Sequence, residues 1–364
     1  MHTLYGSSIS YYAGKLETYL RYREEAYELL PHAPHAAEIM KGAGAVQSPV
    51  LRLGDGRWAS DTTPILRWFE EEVVSDSRPS IYPEDPALRF VALLIEDHAD
   101  EWLWRPAMHY RWSFVHDRDH ASGHLVDEQL PNNPSPRDDL RAVMVERQRG
   151  GFVIRDGVHE GTRAHAEATS MAAYDQLEAI LCERPFLLGD RRTIADFGFV
   201  GPMLRHYAQD PTPAELMRRR APKLFTWVAR MWEASPDPED AALIAEIDAP
   251  LSVLLREVCE THMIQLRDNA KGFAAGTSHF ESTIQGCHYT ELPVSRYRVW
   301  CLEALRREWA ALGDDAKKTV AAHLTEDARA LLSDPESIAR SEYDVHREAP
   351  FNRAINVYGD GVPE

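Results

Sequence analysis

Residues 47–70 read Gln-Ser-Pro-Val-Leu-Arg-Leu-Gly-Asp-Gly-Arg-Trp-Ala-Ser-Asp-Thr-Thr-Pro-Ile-Leu-Arg-Trp-Phe-Glu. The apolar Val50, Leu51 and Leu53 predict a short strand. Gly54-Asp55-Gly56 has the residues of a tight hairpin turn, and Trp58-Ala59 resumes a second strand. Ser60, Asp61 and Thr62 supply short oxygen side chains for the amides that open a helix, and Pro64 is tolerated in its first turn. Ile65, Leu66, Trp68 and Phe69 then fall at helical spacing and give it a buried face. At the entrance, Ser48-Pro49 is an X-Pro pair for which a cis bond costs little, and such a turn leaves the Ser48 backbone open to an extended peptide. At the exit, Asp61-Thr62 opens a helix whose free amides attract a carboxylate.

Upstream, residues 3–6 predict a first strand, 11–25 a helix and 26–30 a second strand. A short helix follows around Ala36 to Lys41. The order strand-helix-strand-helix-strand-strand-helix makes a parallel βαβ half finished by a hairpin.

On these residues the chain resembles the glutathione transferase superfamily. Ser48-Pro49 stands where that family has Val-Pro, and Asp61-Thr62 where it has Glu-Ser or Gln-Ser. The resemblance implies an α/β thioredoxin-like N-terminal domain that binds glutathione as co-substrate. The tripeptide backbone would lie against Ser48 and Pro49, the γ-glutamyl end against Asp61 and Thr62, and the glycyl carboxylate near Gln47. It also implies a hydroxyl on the glutathione thiol. Ser10 is the catalytic candidate, and it reads equally as the plain N-cap of the helix from Tyr11; Tyr5 and Tyr11 are the alternatives. With no cysteine before Cys182, the disulfide-exchanging members that need a nucleophilic Cys near position 10 are disfavoured.

A second signature lies at Leu187-Leu188-Gly189-Asp190 followed by Thr193 and Asp196. Thr193 and Asp196 form a Thr-x-x-Asp capping box, which the helical domains of the family keep at the start of their central helix. Domains are therefore expected at 1–75 (thioredoxin-like), 86–250 (all-α) and 251–364 (a mostly helical C-terminal extension), with a Pro/Ser-rich linker from Ser75 to Pro86. One long helix is expected from Pro86 to Trp112, with helices at 213–233 and 237–268 and a small hairpin within 271–289. Trp102, Met108 and Trp112 are candidates for the wall of a second-substrate pocket. Glu96, Asp97, Asp100 and Glu101 read as one wet helix face. The extension would cover the cleft, cap the bundle or replace a dimer contact.

The net charge of −18 argues against nucleic acid as a general partner, since phosphate binding needs a basic face. Four scattered cysteines without a CxxC pair fit free thiols in a reducing cytoplasm. No apolar run approaches a membrane span, and the opening Met-His-Thr-Leu-Tyr-Gly has no secretory leader. The spacing of His109, His116, His120 and His124 fits no metal-ligand pattern, and no metal is expected. Two functions follow. The first is an enzyme that activates glutathione for attack on a small electrophile, as a homodimer by resemblance alone. The second is a non-catalytic binding protein that keeps the fold.

Overall fold

The computed structural model describes residues 1–73, 78–334 and 340–354. The chain opens with β1 (His2–Gly6), α1 (Tyr11–Tyr22), β2 (Tyr27–Pro31), α2 (Ala36–Ala43), β3 (Val50–Arg52), β4 (Trp58–Ser60) and α3 (Thr62–Trp68). Its sheet runs β2-β1-β3-β4; β1 pairs parallel with β2 and antiparallel with β3, and β3 and β4 form the hairpin. This is the thioredoxin-like arrangement. The hairpin closes where Gly56 adopts a φ of 92° and the Asp55 carboxylate accepts the Arg57 amide at 2.9 Å. The first helix stops at Tyr22 rather than Glu25, because the chain turns left-handed at Glu24 (φ 59°).

The helical part begins with α4 (Pro86–Glu101), α5 (Trp104–Ser113), α6 (Val115–Gln129), α7 (Arg137–Gln148) and α8 (Arg163–Glu183). It continues with α9 (Ile194–Pro202), α10 (Pro211–Arg220), α11 (Pro222–Trp232), α12 (Ala249–Glu260) and α13 (His262–Ala274). A hairpin of β5 (His279–Ile284) and β6 (Cys287–Pro293) precedes α14 (Arg296–Ala311), α15 (Asp314–Ala321) and α16 (Glu326–Ser333). The expected capping box forms at the start of α9. That helix is central: it packs against α4 and α1, and Gly198 lets it approach so closely that a Cβ there would sit 2.7 Å from the Glu96 Cα.

Several expectations are corrected. The helix expected over 86–112 is two helices broken near Trp102-Leu103, since Pro106 has no N–H to continue the ladder and its ring opposes the Trp102 carbonyl. The helix expected over 213–233 is likewise split, at Pro222. The one expected over 237–268 starts only at Ala249, where Asp248 caps the Leu251 amide at 3.0 Å, and breaks at Thr261. The late hairpin lies downstream of the expected place. Gln285 and Gly286 make its turn, both with positive φ, and Thr290–Pro293 is strand. Ser75–Ser77 of the expected linker fall outside the described residues.

The largest correction concerns α4. Glu96 and Asp100 are buried, not wet: the Lys15 ammonium of α1 lies 2.5 Å from a carboxylate oxygen of each, and Lys15 is itself fully buried. Burial alone would lower the Lys15 pKa, but Asp100 and Glu96 outweigh it and keep the ammonium charged. The other two acids of the row face the later helices, Asp97 meeting His262 at 2.5 Å and Glu101 meeting Arg298 at 3.1 Å. The extension packs α14 and α15 directly on α4, with the rings of Phe90 and Trp309 5.3 Å apart. One apolar core runs from Leu4 to Leu332.

Candidate functional site

A cavity of about 450 Å³ opens between the sheet-bearing part and the helices. Ser10, Gln47, Ser48, Pro49, Asp61 and Thr62 all line it, and so does Tyr11. Ser10 caps α1, its Oγ accepting the Ala13 amide at 3.4 Å, and the Ser48 hydroxyl donates to the same oxygen at 3.2 Å. The Ser48-Pro49 bond is cis. The loop before Ser10 is held from α6: Glu128 accepts the Ser8 amide at 2.8 Å and the Ser7 hydroxyl. Burial works to raise the Glu128 carboxyl, but these donors prevail and hold it below its ordinary range.

The three hydroxyls considered for the thiol are now distinguishable. Tyr5 is not in the cavity. β1 alternates its faces, so Leu4 enters the main core while Tyr5 packs under α2 and stacks on Trp58, centroids 5.5 Å apart. Tyr11 presents its ring to the cavity but donates its hydroxyl to the Ala99 carbonyl, and burial holds that phenol well above its usual pKa. Among the described residues Ser10 keeps its hydroxyl hydrogen for a ligand, since the side-chain hydrogen bonds it makes there, from the Ala13 amide and the Ser48 hydroxyl, are accepted ones.

Asp61 departs from the expected cap. Its backbone has φ 72°, and its side chain makes no bond to the opening amides of α3. Instead Oδ1 accepts the Tyr297 hydroxyl, from α14, at 3.0 Å. Burial raises its carboxyl to about 7, against the pull of Tyr297 and Lys15 and with the push of Glu96 and Glu101.

The apolar part of the helical wall includes Trp104, Met108, Trp112, Leu125 and Phe152. Trp102 is not part of it. It lies instead against the Arg105 guanidinium, 4.9 Å from ring centroid to carbon. The sequence reading missed Tyr12, whose ring stacks on Trp104 (5.6 Å) and whose hydroxyl donates to the Asp100 carbonyl at 2.9 Å. It also missed Ser295, Tyr297, Arg298 and Tyr343 of the extension, which complete the lining. Trp104 was within reach, lying four residues before Met108 on one helix face; nothing local marks Tyr297.

His109 and His124 have other partners. His109 meets Glu167 at 3.1 Å, His124 meets the Ser8 hydroxyl at 2.8 Å, and Asp117 accepts the Thr212 amide at 2.8 Å. Among the described residues, no three His, Cys, Asp or Glu side chains gather as a metal site. Nor is any described helix long and apolar enough to cross a membrane. The four cysteines are free.

Residues 144–234 match the family model described as glutathione S-transferase, C-terminal domain, and they follow the thioredoxin-like sheet in one chain. Residues 144–234 of the chain are thus a glutathione S-transferase C-terminal domain. Among solved structures, the chain is similar to a beta-etherase from Sphingobium sp. strain SYK-6, with 19% identity and a TM-score of 0.45, covering 63% of this chain and 94% of that one. It is also similar to a glutathione S-transferase from Rhodospirillum rubrum F11, with 18% identity and a TM-score of 0.41, covering 66% and 90%. A third is a glutathione S-transferase-I bound with lactoylglutathione, with 17% identity and a TM-score of 0.40, covering 64% and 94%. No curated protein matches the chain.

Proposed function

We propose that the chain binds glutathione in the cavity between the sheet and the helices and activates its thiol for attack on a small electrophile. One observation carries this: Ser10, Gln47, Ser48, Pro49, Asp61 and Thr62, dispersed over the first 62 residues, line a single cavity, with the Ser10 hydroxyl hydrogen unspent among the described residues. In this reading Ser10 donates to the thiolate sulfur and lowers its pKa, while Ser48, Pro49 and Gln47 run along the tripeptide and Asp61 and Thr62 meet its γ-glutamyl end. The sulfur forms a bond to an electrophilic carbon, and the leaving group departs with its electron pair. Trp104, Met108, Trp112 and Phe152 would seat an apolar second substrate. The reading assigns residues 1–75 to glutathione, 86–250 to the helical domain and 251–364 to an extension that shares the cleft. It includes a cytoplasmic setting suited to four free thiols, and a homodimer that sedimentation of the purified chain would test.

A binding protein without turnover is the second reading. It is favoured by the Ser10 Oγ already serving as the α1 cap. Calorimetric titration with glutathione separates both readings from neither, and ultraviolet titration of the bound thiol separates them from each other. The enzyme reading expects a thiol pKa lowered by about one to two units in the wild type and restored in Ser10→Ala. Absence of binding at millimolar glutathione ends the transferase reading.

A further inference from the structure

The turn that presents Ser10 is gripped from the helical part of the chain. Its own closure is one backbone bond, the Ser10 amide donating to the Ser7 carbonyl at 2.9 Å. Around it, α5 and α6 supply a partner to each residue from Gly6 to Ile9. Gln129 donates to the Gly6 carbonyl at 2.9 Å, and its own side-chain carbonyl accepts the Ala33 amide at 3.0 Å. Glu128 accepts the Ser7 hydroxyl and, at 2.8 Å, the Ser8 amide. His124 meets the Ser8 hydroxyl at 2.8 Å, and Arg111 donates to the Ile9 carbonyl at 2.7 Å. Arg111 is itself fixed by the buried Asp210 carboxylate, at 2.8 Å. The Ile9 side chain is buried in one apolar cluster with Met108 and Trp112 of α5 and Ala121 of α6.

The bonds that Ser10 makes with its own surroundings are longer. Its Oγ accepts the Ala13 amide at 3.4 Å and the Ser48 hydroxyl at 3.2 Å, both beyond the usual lengths for such pairs. The cap therefore ties the oxygen loosely, while the turn before it is held firmly from α6. There is little slack between the parts. A Cβ at Gly6 would sit 3.1 Å from the Ala13 Cβ and 3.5 Å from the Ser48 Oγ, so the end of β1 already lies against α1 and the Ser48 loop. A misplacement of about 1 Å costs on the order of a hundredfold where a reacting group depends on geometry. The placement of the Ser10 hydroxyl is thus decided by side chains more than a hundred residues away in sequence.

We propose that Glu128 of α6 is a positioning residue for Ser10: by fixing Ser7 and Ser8 it sets where the Ser10 hydroxyl meets the ligand's sulfur. The proposal rests on the glutathione reading and deepens it, because it places control of the thiol partly in the helical domain. Its sign separates it from a charge effect. Donors from Ser7, Ser8 and Gln129 keep Glu128 ionised. A carboxylate acting as a bare charge raises the pKa of a nearby thiol, so its removal would lower that pKa. A carboxylate acting through Ser10 does the reverse: its removal lets the hydroxyl drift from the sulfur, and the pKa of the bound thiol rises.

The test uses the full chain, with ultraviolet titration of bound glutathione for the thiol and calorimetry with S-methylglutathione for affinity. Glu128→Ala is expected to raise the bound thiol pKa by about one unit while S-methylglutathione affinity stays within about threefold. Glu128→Asp keeps the charge but withdraws the carboxylate by one methylene, and the same rise is expected. Glu128→Gln keeps the reach and one acceptor oxygen, and should recover about half of the shift. Combined with Ser10→Ala, Glu128→Ala is expected to add nothing, since the hydroxyl through which it acts is already gone. A thiol pKa that is unchanged or lowered in Glu128→Asp overturns the proposal, even if the alanine variant fails to fold. So does a further rise in the double variant, or a loss of S-methylglutathione affinity above about tenfold without a change in the thiol. A wild type that binds no glutathione, or binds it with an ordinary thiol pKa, overturns the transferase reading itself. A lowered thiol pKa that is indifferent to Glu128 overturns only the positioning role.

Discussion

Asp196 on α9 and Asp100 on α4 are both buried acids in the helical core, and they are satisfied in different ways. Asp196 accepts the amides of Leu187 and Thr193, both at 2.9 Å, together with the Thr193 hydroxyl and the Trp227 indole. Most of these donors lie within nine residues of it, and the carboxyl ends at about 6, raised by burial against their combined pull. Asp100 depends on Lys15, eighty-five residues away on α1. Burial pushes its carboxyl well up even against that ammonium. The first acid is a local device that organises the start of one helix. The second is half of a tertiary bond that clamps the sheet-bearing part to the bundle, and its partner also holds Glu96.

Breaking the tertiary clamp should have the larger effect. Lys15→Met leaves Glu96 and Asp100 buried beside each other without a cation, and a loss of about 3–5 kcal/mol in urea unfolding is expected. A loss below about 1 kcal/mol would mean that the row is solvated after all, as its charge pattern suggests. Asp196→Ala removes a cap and strands two buried amides. The expected loss is about 2–3 kcal/mol, with α9 exchanging its amide hydrogens faster than α4 does. If it instead cost as much as Lys15→Met, the distinction between local and tertiary acids would lose its energetic content.

Asp61 sharpens the comparison from a third position, an acid at a cavity wall. Its folded pKa lies above the unfolded value, so the protonated form is favoured on folding. That contribution to stability is fully present below about pH 4 and is lost as pH rises through about 7. Asp61→Asn does not ionise. The melting temperature of this variant relative to the wild type is therefore expected to climb between pH 5 and 8, by the equivalent of about 1–2 kcal/mol. A difference that stays flat over that range would show Asp61 to be solvated and its coupling to Tyr297 slight.

The same contrast explains what was legible. The hairpin over 50–60, the capping box at Thr193-Asp196 and the placement of Ser10 at a helix start are each written within a few residues, in turn glycines and short oxygen side chains. Tyr5 stayed an open alternative to Ser10 because its face of β1 depends on which side of the sheet α2 covers, and a strand alternates faces without saying which is which. The row Glu96, Asp97, Asp100 and Glu101 was misread because four acids in six residues look like a solvated surface until Lys15, His262 and Arg298 are brought to them. Tyr297 carries no mark at all in its own neighbourhood.

By itself the sequence determined the order of strands and helices around the hairpin, the start of the central helix and the residues that open the cavity. These depend on φ preferences, caps and periodicity, which act within a turn or two of the chain. Only the tertiary structure decided which acids are buried, which hydroxyl faces the cavity and that the extension reaches Asp61. Those outcomes depend on charges and hydroxyls far apart in sequence meeting in a region that water does not reach, where an unpaired group is expensive and a paired one is not.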